Sequence, residues 1–264
     1  MTVQAGDAYR LPVTIKMVPV DRSGHWLARG WHDVWRAPAI SLAYGFSFVV
    51  ISYALTFGLI GLGLGSLVPP LIGAFVLVSP ILVVGLYEVA RRLDAGEAVG
   101  FGAICLICIR NAGQVAAMGV VMLIFAFFWI VVAIVLFALF FSSGVPPLDS
   151  LVYDMLFSLR GAIFLGLGTL LGAGLATLIF AISAISIPML LDHPELDVVT
   201  AVATSFLVVR ANWQTMFGWA ALIGLVSAVA LVSFYIGLAV ALPMLAYATW
   251  HAYTDLVEIE RPAA

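Results

Sequence analysis

The chain has 264 residues, of which 64% are hydrophobic and only 9% are charged. Soluble domains contain about 45–50% apolar and about 25% charged residues, so this composition excludes a soluble globular protein. A mean hydropathy of +1.18 and 24 glycines predict an all-α polytopic transmembrane helical bundle, because lipid requires apolar side chains and glycine lets helices approach closely. We therefore expect the chain to be embedded in a lipid bilayer. No basic cluster indicates a nucleic-acid partner.

Four long stretches without Asp, Glu, Lys or Arg set the number of membrane spans. They cover residues 37–87, 111–148, 161–191 and 211–254. A spanning helix needs about 20 residues, so the first and last stretches have room for two spans each and the others for one each. The sequence predicts a transmembrane domain at 38–254 between tails at 1–37 and 255–264, with six spans near residues 39–64, 71–90, 114–141, 164–190, 213–233 and 235–253.

The boundary between the last two predicted spans has the weakest signal. Pro69 and Pro70 separate the first two spans, because adjacent prolines remove two backbone donors. No polar turn divides residues 213–253 in the same way. One long helix kinked at Gly237 and Pro243 is the alternative, and it would leave five spans and an external C-terminus.

Basic residues indicate the orientation of the chain in the membrane. With six spans and an internal N-terminus, ten of the 11 basic residues lie on the cytoplasmic side and only Arg160 lies outside, as expected for cytoplasmic loops. The first 37 residues are charged and lack the apolar core of a cleavable signal peptide. The sequence therefore predicts a multi-pass membrane protein with both termini in the cytoplasm.

Residues 23–36 have the pattern of a helix that lies along the membrane surface. Leu27, Trp31 and Trp35 are four residues apart, and Arg29 and Arg36 lie on another face. Aromatic side chains at headgroup depth and arginines near anionic lipid are typical of such interfacial helices.

Two predicted cytoplasmic loops, residues 91–113 and 192–212, share one design. Each begins with an aspartate three residues before a glutamate, as in a capping box, and ends with an arginine four residues before a glutamine. The four pairs are Asp94 with Glu97, Asp192 with Glu195, Arg110 with Gln114, and Arg210 with Gln214. The offset of about 100 residues suggests a parallel internal repeat, as in some transporters. The alternative is that any two hairpins with short helices would look alike.

Few side chains in the predicted spans could carry chemistry. No ionisable residue lies in the middle of a span, so proton-coupled or charge-selective transport has no residues to use. Glu88 lies at the end of the second span, where an ion pair with Arg91 and Arg92 accounts for it. The chain contains no Ser-His-Asp set, phosphate loop or paired carboxylates, so we expect no enzyme and no catalytic residues.

Histidines and cysteines are the remaining candidate ligands. His32 and His251 each follow a tryptophan and are the candidates for a haem or metal site, but neither has a partner at ligand spacing. Cys105 and Cys108 form C-L-I-C, which could bind half a metal site or act as a dithiol. Two cysteines without a second pair are more typical of small buried side chains. We therefore expect no cofactor and no metal.

Two G-x-x-x-G patterns indicate close helix packing. Gly61 and Gly65 lie late in the first span, and Gly168 and Gly172 lie early in the fourth. This spacing lets helix backbones approach, so we expect these faces to pack against each other or against a partner subunit.

Three phrases resemble one protein family: G-W-H-D-V-W-R-A-P at residues 30–38, I-S-I-P-M-L-L-D at 185–192 and L-P-M-L-A-Y-A-T-W-H-A-Y at 242–253. Together they resemble the bacterial integral membrane proteins of domain of unknown function 2189, from about Ser23 to Leu256. The resemblance implies a multi-pass inner-membrane protein without an established activity and without assigned catalytic residues. Some members carry the name of a cytochrome c oxidase subunit.

A catalytic haem–copper oxidase subunit would be a larger protein, with about six ligand histidines within its helices. This chain has four histidines, none in mid-span, so only an accessory role beside an oxidase is compatible with it. The leading hypothesis is a non-enzymatic structural or accessory component of a membrane complex that contacts other subunits. The alternative is a transporter or lipid-handling protein for an uncharged or amphipathic substrate, which a polar cavity between the hairpins would favour.

Overall fold

The fold, taken from a computed structural model, is helical throughout most of the chain. The structure describes residues 13–100, 102, 112–141, 153, 155 and 157–259. The helices in these residues are α1 (Arg22–Arg36), α2 (Pro38–Gly61), α3 (Val68–Leu82), α4 (Val84–Asp94), α5 (Ala112–Phe140), α6 (Leu159–Ser183), α7 (Ser186–Asp192), α8 (Val198–Ala211), α9 (Trp213–Val232) and α10 (Leu238–Leu256). A 3₁₀ turn, Gly65–Leu67, precedes α3, and two short strands, β1 (Val13–Ile15) and β2 (Val257–Ile259), flank the helices.

Five helical segments of the described chain are long and apolar enough to cross a membrane. They are Pro38–Gly61, Gly65–Asp94, Gly113–Phe140, Leu159–Asp192 and Trp213–Val232. The predicted all-α membrane bundle is therefore confirmed. Two of these segments are interrupted: α3 contains Pro80 and gives way to α4 at Val83, and α6 ends one turn before Pro188 in α7. Proline breaks helices because it lacks a backbone donor.

The predicted sixth span at 235–253 corresponds to α10, which is not among the five apolar segments. A turn at residues 233–237 separates α9 from α10, so the two are not one kinked helix. Phe234 and Tyr235 have φ of 54° and 65° in this turn, a conformation that is uncommon outside glycine. α10 can carry polar side chains because neighbouring helices cover it. Every residue from Ala246 to Tyr253 is buried.

Buried residues are concentrated at one end of the bundle, which we call the base. The base contains both strands, α1, α4, α7 with the residue before it, α8, the first half of α9 and the second half of α10. Its fully buried side chains include Trp26, Leu86, Ile185, Trp219 and Tyr247. At the opposite, distal end the helices are less covered. No residue of α2 after Val49 is buried, and none between residues 162 and 178 of α6.

A two-stranded sheet joins the two ends of the described chain at the base. β1 and β2 are antiparallel, with Val13 opposite Ile259 and Ile15 opposite Val257. The Lys16 amide donates to the carbonyl of Leu256 at 2.9 Å, next to the strand pair. The sequence analysis did not foresee this sheet, because three-residue strands are too short to show an alternating pattern.

Two glycines allow α1 and α2 to approach α10 closely. A Cβ on Gly30 would overlap the carbonyl oxygen of Met244, and a Cβ on Gly45 would overlap the backbone of Ala239. The two G-x-x-x-G patterns lie at other glycines. Among these, Gly168 and Gly172 face α5 through Leu136 and Trp129, while Gly65 begins the 3₁₀ turn and no described atom lies within 4 Å of a Cβ built on Gly61. The two predicted glycine faces therefore do not pack against each other within the chain.

Gly45→Ala tests the close crossing of α2 and α10. The added methyl group meets backbone that cannot rotate away, so we expect a loss of about 1–3 kcal/mol in the free energy of unfolding. Gly58→Ala on the same helix is the control, because its Cβ meets open space and alanine favours a helix by about 1 kcal/mol over glycine. Thermal unfolding in detergent compares the two. Equal melting temperatures for the two variants would contradict the crossing.

Candidate functional site at the base of the terminal helix

The second half of α10 bears polar side chains on all its sides. Successive residues of a helix are about 100° apart, so the run from Tyr247 to Asp255 faces several neighbouring elements. Tyr247 shares a hydrogen bond of 2.8 Å with Ser41 of α2, and Tyr253 donates to Asp192 of α7 at 3.0 Å. Asp255 accepts from Arg22 of α1 at 2.7 Å. The polar residues of α10 therefore hold the surrounding helices in place.

His251 lies between two aspartates that come from different helices. Its Nε2 is 2.7 Å from Oδ2 of Asp33 on α1, and its Nδ1 is 3.6 Å from Oδ2 of Asp94 at the end of α4. His251 and Asp33 are each 2% exposed. The Nδ1 atom has no hydrogen-bond partner within the part of the chain that the structure describes. Asp94 instead accepts from the indole of Trp250 at 2.9 Å.

The carboxylates around His251 face the arginines of α1. Asp33 accepts from Arg36 at 3.1 Å, and Arg29 lies 3.6 Å from both Asp94 and Asp255. The three arginines of α1 thus face the three carboxylates, Asp33, Asp94 and Asp255. Burial raises the pKa of Asp33, but hydrogen bonds from His251 and Arg36 outweigh this effect, and its pKa lies below the ordinary value. Asp33 is therefore a carboxylate at neutral pH.

Glu88 forms a second buried ion cluster on α4. It is 3% exposed and accepts from Arg91 and Arg92, each at 2.7 Å. This is the ion pair that the sequence analysis expected. Both arginines are one turn away on the same helix, so the cluster neutralises the buried carboxylate locally.

The aspartates of the predicted repeat occupy similar places. Asp94 ends α4, Asp192 ends α7, and the two helices contact each other. Each aspartate accepts a hydrogen bond from an aromatic side chain of α10, Trp250 or Tyr253, whose rings lie 5.4 Å apart. α10 therefore contacts both copies.

The glutamines of the predicted repeat are not equivalent in this way. Gln114 accepts from the backbone of Val198 at 3.3 Å, at the start of α8. Arg210 and Gln214 are exposed, and Arg110 lies outside the described residues. The similarity of the two loops therefore extends to the aspartates but not to the glutamines.

The two candidate ligand histidines occupy different environments. His32 is exposed, and its Nδ1 is 3.8 Å from Oδ1 of Asp33, whereas His251 is buried and approaches the other oxygen of the same carboxylate. Within the described ranges no group of three or more His, Cys, Asp or Glu side chains has an arrangement that could hold a metal ion. Cys105 and Cys108 lie outside those ranges.

α1 presents one face to the protein and another to its surroundings. Trp31 and Trp35 are exposed and contact each other with ring centroids 5.5 Å apart, as an interfacial helix requires. The opposite face, Ser23, Trp26, Gly30, Asp33 and Val34, is buried. The sequence analysis missed this second face, although its members recur every three or four residues and include a small, an aromatic and an acidic side chain.

An open cleft of about 410 Å³ adjoins this cluster. It lies between the junction of α1 and α2 and the residues that follow α4. Arg36 and Glu97 are its charged lining residues, and the others are Ala37, Pro38, Ala39, Ile40, Leu93, Val99 and Gly100.

Comparison with known proteins gives a match to one family model. Residues 67–192 match the family model described as "Predicted integral membrane protein (DUF2189)". This confirms the family resemblance. The matched residues run from the 3₁₀ turn to the end of α7 and include I-S-I-P-M-L-L-D, while the other two phrases lie outside them. No curated protein and no solved structure matches the chain.

Replacing Asp33 should destabilise the base. Asp33→Ala leaves His251 and Arg36 without their shared acceptor, and loss of one partner of a buried ion pair costs about 3–5 kcal/mol. Asp21→Ala is the control, because Asp21 is exposed and immediately precedes the same helix. Thermal unfolding in detergent measures both. If Asp33→Ala melts at the temperature of Asp21→Ala, the cluster does not stabilise the fold.

His193, just after α7, should make stability depend on pH. A hydrogen bond with Asp192 raises the pKa of His193; burial opposes this effect, and Glu195, 2.9 Å away, adds to it. Because the folded pKa is above the ordinary 6.5, the stabilisation is complete below pH 6.5 and is lost as pH rises through the folded pKa.

The melting temperature of the wild type should therefore fall across this window, and His193→Gln should flatten the fall. His25→Gln, at an exposed position of α1, is the control and should keep the wild-type slope. Parallel curves for wild type and His193→Gln would contradict the assignment.

Proposed function

We propose that the protein is a non-enzymatic structural or accessory component of a complex in the bacterial inner membrane. The exposed surface of α6 carries this proposal. Leu170 is 70% exposed, and Cβ atoms built on Gly166 and Gly174 would meet open space in the described structure. Membrane helices associate through small residues that let backbones approach. A helix of another subunit would cover this face of α6.

The chemistry of the base also favours a structural role. Carboxylates there pair with arginines, tryptophans and tyrosine of the same chain, as the Asp33, Asp94 and Asp192 contacts show. Groups that already have strong partners are poorly suited to act on a substrate. The base is better suited to fix the positions of the helices that a partner contacts.

Six crossings with both ends in the cytoplasm form part of the proposal. The strand pair supports this number, because residues 13–15 pair with residues 257–259 and an even number of crossings brings both ends of a chain to one side. Five apolar segments and α10 together supply six. Described basic residues support the orientation, since Lys16, Arg22, Arg29, Arg36, Arg91, Arg92 and Arg210 belong to base elements, and Arg160 begins α6 at the distal end.

Cysteine labelling tests this topology. In a variant with Cys105 and Cys108 replaced by serine, single cysteines at Lys16 and Glu258 should react only after the membrane is permeabilised, because both lie beside the strand pair. A cysteine at Ser66, in the distal 3₁₀ turn, should react in intact cells. Opposite labelling of the Lys16 and Glu258 positions would contradict six crossings.

Site-specific photo-crosslinking tests the accessory role. A photoreactive residue at Leu170 should form a discrete crosslink to one membrane protein, whereas the same residue at Phe217 of α9, which is 73% exposed, should crosslink only lipid. Gly166→Leu should abolish the Leu170 crosslink, and Gly58→Leu should not. Mass spectrometry identifies the crosslinked protein, and an oxidase subunit would specify the complex. Lipid adducts alone at Leu170 would contradict an accessory role.

A groove between α2 and α3 favours lipid handling as the second candidate. It encloses about 60 Å³ and is lined mainly by apolar side chains, including Leu55, Leu71 and Phe75. The hydroxyls of Thr56 and Tyr235, 3.2 Å apart, are among its few polar groups. This lining suits a short apolar part of an acyl chain rather than a polar solute. Lipid adducts confined to the groove would support this candidate.

A further inference from the structure

The cleft beside Arg36 lies at the level where two candidate spans enter and leave the membrane. Its lining includes Pro38, where the Pro38–Gly61 segment begins, and Leu93, next to the end of the Gly65–Asp94 segment. Trp31 and Trp35 are exposed on the adjoining helix. Exposed tryptophans mark the headgroup layer of a bilayer. The cleft therefore opens among lipid headgroups on the base side.

Opposite charges line this cleft. The guanidinium of Arg36 donates to Asp33 and to the carbonyl of Leu93 at 3.1 and 3.0 Å. A guanidinium has five N–H groups, so three have no acceptor among the residues that the structure describes and could bind another one. Glu97 has a side chain that is 48% exposed, and its nearest cation is Arg91 at 3.8 Å. The guanidinium of Arg36, which can bind an anion, and the carboxylate of Glu97, which can bind a cation, thus line the same open cleft.

We propose that this cleft binds the headgroup of phosphatidylethanolamine from the surrounding bilayer, with the phosphate at Arg36 and the ammonium at Glu97. Arginine binds phosphate through several parallel N–H groups, and an ammonium donates charge-assisted hydrogen bonds to a carboxylate. The volume of about 410 Å³ lies within the range of about 300–1,000 Å³ for small-molecule sites.

Charge complementarity selects this lipid among the common phospholipids. Phosphatidylglycerol has no cation for Glu97. The quaternary ammonium of phosphatidylcholine has no N–H to donate. A hydrogen bond to a charged group contributes about 1.5–3 kcal/mol, so phosphatidylethanolamine should bind at least about tenfold more tightly than phosphatidylcholine.

Native mass spectrometry of the full chain tests the site. The purified protein is mixed with equal amounts of each of the three phospholipids, and the adducts that survive detergent removal are counted. Glu97→Gln should remove the preference for phosphatidylethanolamine over phosphatidylcholine and leave binding of phosphatidylglycerol unchanged or stronger. Glu258→Gln is the matched control, because this exposed glutamate pairs with Lys16 beside the strand pair, away from the lining of the cleft.

Thermal unfolding of Glu97→Gln should match the wild type, because Glu97 is half exposed. Equal retention of phosphatidylethanolamine by wild type and Glu97→Gln would overturn the proposal, as would a wild-type preference for phosphatidylglycerol. Glycerophosphoethanolamine, the soluble headgroup, is the last arm. Complete displacement of the lipid at equal concentration would show a site for the free headgroup and overturn the lipid assignment.

Discussion

The architecture depends on the hydrogen-bond partners that the buried polar side chains of α10 require. A buried polar group without a partner costs several kcal/mol, so α10 can carry tyrosine, histidine and aspartate only if other helices cover and pair with them. Ser41, Asp33, Asp94 and Asp192 meet this need from four different helices. The same requirement accounts for the breaks after α3 and α6, because α4 and α7 bring their terminal aspartates under α10 rather than continuing straight.

The charge pattern of α1 follows from the same arrangement. A helix with three arginines at a membrane surface usually faces anionic lipid, but here Arg22, Arg29 and Arg36 face the carboxylates around α10. Gly30 brings the α1 backbone close enough to α10 for these contacts. Trp31 and Trp35 are left on the outer face. α1 is thus a component of the base that also contacts the bilayer.

The membrane helices were predictable because their signal is local and cumulative. Long charge-free stretches predicted the five apolar segments, since each residue contributes independently to the cost of placing a segment in lipid. The contact of His251 with Asp33 joins residues 218 positions apart, and no local pattern indicates such a pairing. The run from Tyr247 to Asp255 did contain a usable signal, because polar residues on all sides of an otherwise apolar helix require protein on all sides. Gly45 offered no comparable sign, since its neighbour Ala239 is distant in sequence.

The distal end consists of two groups of helices, and the helices of each group pack on one another. α2 packs on α10, and Tyr53 donates to the carbonyl of Phe234 at 2.6 Å. α3 packs on α5, where the indole of Trp129 lies against Gly73 and Gly172 and donates to the carbonyl of Pro70 at 3.0 Å. Consecutive helices α2 and α3 thus belong to different groups, and the groove between them is the result. α6 belongs to the second group, because it packs on α5 and α3, so its exposed face lies apart from the charged cluster around α10. The proposed partner site on α6 and the proposed lipid site beside Arg36 therefore lie in parts of the molecule that can be changed separately.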